Sequence, residues 1–93
     1  MLEIVWSVKA VASFKIVLDQ IESKWSFQTA SKFTVRTNKL IRTLQQNPFL
    51  FTETNIPNVR KAIITKQTSL LYKVNENHLE ILFFWNNRQE PIF

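Results

Sequence analysis

Apolar residues crowd the start of the chain in Leu2-Glu3-Ile4-Val5-Trp6, a short run rich in the β-branched and aromatic types that suit a strand. From Ser7 onward the period changes. Val11, Phe14, Leu18, Ile21 and Trp25 are spaced by three, four, three and four residues. That spacing is one stripe on an α-helix, with Ser7 positioned to cap it. Lys15, Glu22 and Lys24 fall off the stripe. After a polar break around Ser26 the helical rhythm returns, with Ala30, Phe33, Leu40, Ile41 and Leu44 as its buried face. Asn47-Pro48 ends it, because a residue before proline is pushed away from helical backbone angles. Two amphipathic helices with so short a connection must fold back on each other as an antiparallel hairpin.

The last third reads differently. Val59 to Ile64, Ser69 to Val74 and His78 to Trp85 are rich in β-branched and aromatic residues and are separated by short polar breaks, which predicts three strands in an antiparallel meander. In the last strand Leu79, Ile81, Phe83 and Trp85 are expected to point one way and Glu80, Leu82 and Phe84 the other. Both sets are largely apolar, so this strand should be central and covered on both sides, with Val5 and its neighbours pairing with it or beside it. Phe49 to Asn58 has no clear period and is expected to be an ordered loop packing aromatics under the sheet edge. The fold class is therefore α+β in the order β-α-α-β-β-β, one domain over residues 1–93, with the helical hairpin on one face of the sheet. No internal repeat or low-complexity run interrupts it.

Composition narrows the function. With 45% hydrophobic and 13% aromatic residues the chain is a packed globule. It has no cysteine, which excludes a disulfide framework and a thiolate metal site. It has no glycine, which argues against the loops that bring backbone close to phosphates, so no nucleotide cofactor is expected, and no metal site is expected either. The first residues lack a basic flank and a long apolar core. No apolar run approaches the ~20 residues that span a bilayer. A cytoplasmic protein without a membrane partner is the expectation.

Charge points to a partner. The net charge is +5, but between Lys24 and Lys73 nine basic residues stand against one acidic residue, Glu53, a local balance of +8. Lys32, Arg36 and Lys39 share a helical face by their spacing of four and three, and Arg42 follows on the same helix. Such a field attracts a polyanion or an acidic protein, although charge runs are often only solvated surface.

Several stretches carry a family pattern. They are the opening strand Leu2 to Ser7 leading into a helix, the basic second helix ending at Asn47-Pro48, the Val59-Arg60 strand opening, Leu71-Tyr72-Lys73-Val74, and the tail Phe84-Trp85-Asn86-Asn87-Arg88-Gln89-Glu90-Pro91. Taken together they resemble the RelE/ParE superfamily of bacterial toxins from type II toxin–antitoxin systems. The resemblance implies a growth-inhibiting toxin, associated with plasmid stabilisation, that is neutralised by a cognate acidic antitoxin in a hetero-oligomer. It also implies one of two targets, DNA gyrase for ParE-like members or ribosome-bound mRNA for RelE-like ribonucleases. By analogy Arg60, with Lys61 beside it, lies where basic residues face the concave surface of the sheet. Arg88 lies where ribonuclease members carry an arginine that holds phosphate, a task suited to a planar guanidinium. The bland alternative for Arg88 is a tail cap that pairs with Glu90 or bonds a carbonyl.

The ribonuclease set looks incomplete. Cleavage at a 2′-hydroxyl needs a base, a proton donor and cations. Where the messenger-cleaving branch places further cations this chain carries Ala62 and Ser69, and Phe93 comes before the tail tyrosine or histidine those members use. Tyr72 reads as structural and His78 as a turn residue. Asp19 with Glu22 is a helix-surface pair, and Trp6, Trp25 and Trp85 are expected in the core. Three readings stand: a gyrase-directed toxin, which leads, a ribosome-dependent mRNA endoribonuclease using Arg60 and Arg88, and a non-toxic basic binding domain.

Overall fold

A computed structural model of the chain describes residues 1–87. Its elements are β1 (Glu3–Trp6), α1 (Val8–Lys24), α2 (Phe27–Gln46), β2 (Val59–Ile63), β3 (Thr68–Val74) and β4 (His78–Asn86). One four-stranded sheet has the order β1-β4-β3-β2; β1 runs parallel to β4 and the other pairs are antiparallel. The β-α-α-β-β-β expectation holds, with β4 central.

Both helices begin at serines. The Ser7 hydroxyl accepts the Ala10 N–H at 2.9 Å, and the Ser26 hydroxyl accepts the Thr29 N–H at 3.1 Å, each satisfying a donor that the helix start leaves free. Trp25 and Ser26 alone separate the helices, so they fold back as a hairpin.

Its inner side meets the sheet in a core of Ala10, Phe33, Ile41, Leu44, Ala62, Ile64, Leu70, Tyr72, Leu79, Ile81 and Phe84. Trp6, Phe14, Phe33 and Phe84 join as an aromatic cluster, with Phe14 and Phe84 centroids 4.9 Å apart. Such pairs contribute about 0.5–1.5 kcal/mol each beyond area burial.

Two expectations about side-chain direction fail. On α1 the buried stripe runs through Ala10, Phe14, Val17, Leu18 and Ile21, while Val11 is 57% and Trp25 67% exposed. Ala10 sits at the close approach to the sheet, and Val11 stands one helical step round from it. Trp25 caps α1 with φ −120° and ψ −83°, so its backbone has left the helix and the period no longer aims its side chain inward.

In β4 the alternation changes phase. Leu71 pairs with Phe83 but Tyr72 pairs with Ile81, leaving Leu82 as an extra residue in a β-bulge. Phe84 therefore joins Leu79 and Ile81 on the helix side, and Phe83 and Trp85 turn to the other face.

The bulge lies where β1 has ended and β4 has lost its neighbour. Three polar contacts seal that edge: Ser7 N–H to the Ile81 carbonyl at 3.0 Å, Ser7 hydroxyl to the Leu82 carbonyl at 2.7 Å, and Phe84 N–H to the Ser13 hydroxyl at 2.9 Å. An edge that would otherwise present bare backbone is closed by α1.

Thr37 fills a gap in the α2 stripe. It is fully buried, and its hydroxyl donates to the Phe33 carbonyl one turn back at 2.9 Å.

Candidate partner-binding surface

The cations singled out in the sequence occupy separate places. Lys32, Arg36, Lys39 and Arg42 are all exposed on α2. Buried Phe33, Thr37, Ile41 and Leu44 fix the inward side of that helix. Of the four, Lys32 and Arg36 border a surface groove, and Lys39 and Arg42 do not. Arg88 lies outside the described residues.

Arg60 is on the helix side of β2. Its direct cross-strand partner is Tyr72, a core residue, and opposite residues in an antiparallel pair share a face. Its Nη1 donates to the Phe51 carbonyl at 2.5 Å, its Nη2 lies 3.7 Å from Glu53 Oε1, and its guanidinium sits 4.9 Å from the Phe49 ring centroid. An isolated bridge joins Glu53 to Arg60 along the backbone. Arg60 therefore ties the 47–58 loop to the sheet.

Tyr72 works at the same junction. Fully buried, it donates its hydroxyl to the Pro48 carbonyl at 2.9 Å. Burial raises its pKa above the ordinary 10.0, while the Arg60 charge and a backbone hydrogen bond at Phe51 draw it back. A phenol held protonated against a carbonyl is a poor base.

The expected turn role of His78 agrees with its contact, since its Nε2 lies 3.0 Å from the Asn75 side-chain amide across the β3–β4 turn. Ala62 is wholly buried, and buried Ser69 donates to Asn87 Oδ1 at 2.8 Å.

The face of the sheet away from the helices brings together residues that the sequence reading did not combine. Lys61 pairs with Leu71, which pairs with Phe83, and Lys73 pairs with Glu80 in the next strand. Only strand register could reveal that grouping, because these residues are far apart along the chain. Among the described residues no cluster of three or more His, Asp or Glu side chains is arranged to hold a metal. Among the described residues no helix is long and apolar enough to cross a membrane.

A groove of about 370 Å³ opens between the tip of the helical hairpin and the β2–β3 turn. Val17, Ile21 and Phe33 line it with apolar surface, Thr65 and Gln67 contribute from the β2–β3 turn and Thr68 and Asn86 from the sheet, and Lys24, Lys32 and Arg36 bring charge. Trp25 also lines it, with Lys24 Nζ 5.8 Å from its ring centroid. Lys24 and Trp25 were not expected here; the signal available in the sequence was a tryptophan beside the serine that starts α2.

A solved structure described as the chromosomal ParDE toxin–antitoxin system from P. aeruginosa aligns with 92% of this chain and 96% of its own, at TM-score 0.81 and 21% identity. The chain has the RelE/ParE toxin fold. A YoeB/ParE toxin from Agrobacterium tumefaciens aligns at TM-score 0.68 and 16% identity, covering 92% of this chain and 99% of that one. A heterotetrameric YoeB-YefM toxin–antitoxin complex from Staphylococcus aureus aligns at 0.63 and 21%, over 89% and 93%. No protein-family profile and no curated protein matches the sequence. The RelE/ParE fold accounts for the parallel β1–β4 pair and the hairpin on one face; at these identities it speaks for architecture alone.

Proposed function

We propose that this chain is the growth-inhibiting toxin of a type II toxin–antitoxin pair, held inactive by a cognate acidic antitoxin and directed at DNA gyrase rather than at messenger RNA. The toxin reading draws on the near full-length likeness to toxins of that fold, the ParDE structure at TM-score 0.81 among them. The antitoxin reading draws on the local balance of +8 between Lys24 and Lys73, counted along the sequence, and on the neighbour solved as a toxin–antitoxin complex.

The observation that carries the choice of gyrase is the commitment of Arg60. A guanidinium bonded to Phe51, paired with Glu53 and stacked on Phe49 is occupied in holding a loop, so it is not available to receive phosphate. Tyr72 and His78 are likewise engaged within the fold. RNA cleavage at neutral pH needs groups that converge on one phosphate.

The ribonuclease alternative keeps one specific support, the Lys61, Lys73 and Glu80 group on the outer sheet face, which Arg88 would have to complete. Purified protein mixed with gyrase and supercoiled plasmid should yield linearised DNA on detergent treatment, whereas translating ribosomes should keep their message intact. Message cleavage with unaffected gyrase would replace the leading reading by the ribonuclease. Induced expression that leaves growth unchanged would leave only a basic binding domain.

A further inference from the structure

We infer that the groove at the hairpin tip receives an acidic segment of a partner protein, with an apolar side chain of that segment set between Phe33 and Trp25. The inference rests on the antitoxin reading above and adds where the segment sits and what it must carry. Its first support is charge. Among the described residues the lining includes Lys24, Lys32 and Arg36 and no carboxylate, so an anionic segment is drawn in and a basic one repelled.

The second support is the apolar floor. Phe33 is 5% exposed and lies against Phe14 at 6.0 Å between centroids, so the floor is rigid. Trp25, two-thirds exposed at the rim, is the residue type that most often anchors an interface when a partner covers it. An apolar floor with a charged rim fits the apolar face of an amphipathic helix.

Nucleic acid fits less well. Single strands stack on successive aromatic rings, and of the described residues lining the groove Trp25 alone presents an exposed one. Lys39 and Arg42 are on α2 but outside the groove, which separates contact from steering. Lys32 and Arg36 should govern both arrival and escape of the partner, and Lys39 arrival only.

The test pans the full chain against a displayed library of random peptides of about 12 residues, roughly three helical turns. Enriched peptides should combine Asp or Glu with a large apolar residue. Trp25→Ala and Arg36→Glu should each weaken the best peptide about tenfold, the scale of a 1.4 kcal/mol contact. Circular dichroism should show both variants folded. Lys39→Glu should slow association at low salt and leave dissociation unchanged.

Enrichment of neutral or basic peptides, or equal binding by Trp25→Ala, would overturn the inference. So would a fluorescent oligothymidylate that binds more tightly than any peptide and is lost in the same variants, which would make the groove a nucleic-acid site. Growth arrest and gyrase assays use no peptide, so a failed groove with intact toxicity sinks this inference and spares the function proposed above.

Discussion

Replacing Arg60 by alanine asks whether this side chain is a loop anchor or a reagent. Three contacts are lost together. The charge-assisted hydrogen bond to the Phe51 carbonyl contributes about 1.5–3 kcal/mol. The stack on Phe49, a largely exposed ring, contributes about 0.5–1 kcal/mol. Glu53 is 48% exposed, so its pairing with Arg60 adds only a few tenths of a kcal/mol, roughly.

The sum is about 2–4 kcal/mol, and a domain of this size loses about 4–8 °C of Tm per kcal/mol. Thermal unfolding followed by circular dichroism should therefore show Tm lower by roughly 8–32 °C. Arg60→Lys should lie between the two, since an ammonium keeps the charge and loses the planar fork. A Tm within about 3 °C of the parent protein, together with lost growth inhibition, would refute the anchor and return Arg60 to the chemistry.

Three further outcomes follow from other contacts. Burial raises the Tyr72 pKa, so the folded protein binds the phenolic proton more tightly than the unfolded chain: the stabilisation is complete below the ordinary value and is lost as pH rises through the folded one. Urea midpoints taken from about pH 8 to about pH 11 should fall more steeply for the parent than for Tyr72→Phe, which also forfeits about 1 kcal/mol of hydrogen bond to Pro48; parallel curves would remove Tyr72 from the alkaline transition. Asn58 has φ 67° behind Pro57 in the turn closed by Val59 N–H to the Ile56 carbonyl, so Asn58→Gly should be neutral or slightly stabilising and Asn58→Val should cost about 1–2 kcal/mol in chemical denaturation, an ordering that equal costs would contradict. Ser13→Ala leaves the Phe84 N–H without its acceptor and should cost about 1–3 kcal/mol, with faster amide exchange at Phe84; unchanged exchange there would mean that the β4 edge is closed by something other than this hydroxyl.

Much of the architecture is legible in the chain because it depends on local periods. Apolar spacing, the capping Ser7, the polar break at Ser26 and the Asn47-Pro48 stop act over a few residues, so two helices and three late strands can be read without knowing what they touch. The two-residue helix connection forces the hairpin by geometry alone. Strand order was not legible. The β1–β4 pairing joins residues 75 apart, such as Glu3 with His78, and nothing local encodes it.

The bulge at Leu82 belongs to the same class. Its cause is the packing of Phe84 against Trp6 and Phe14 and the closure of the β4 edge by Ser7 and Ser13, contacts that exist only after α1 has docked. Side-chain alternation in the sequence could therefore not place Phe83 and Phe84 correctly. Charge was readable as a quantity but not as a site: +8 in the middle segment is a count along the sequence, whereas folding turns Arg60 to a loop, Lys61 to the outer face and Lys32 and Arg36 to a groove. A cation acts where its side chain ends, and only tertiary structure decides that, because a one-residue change in register or a helix end one residue earlier sends the same residue to a different surface.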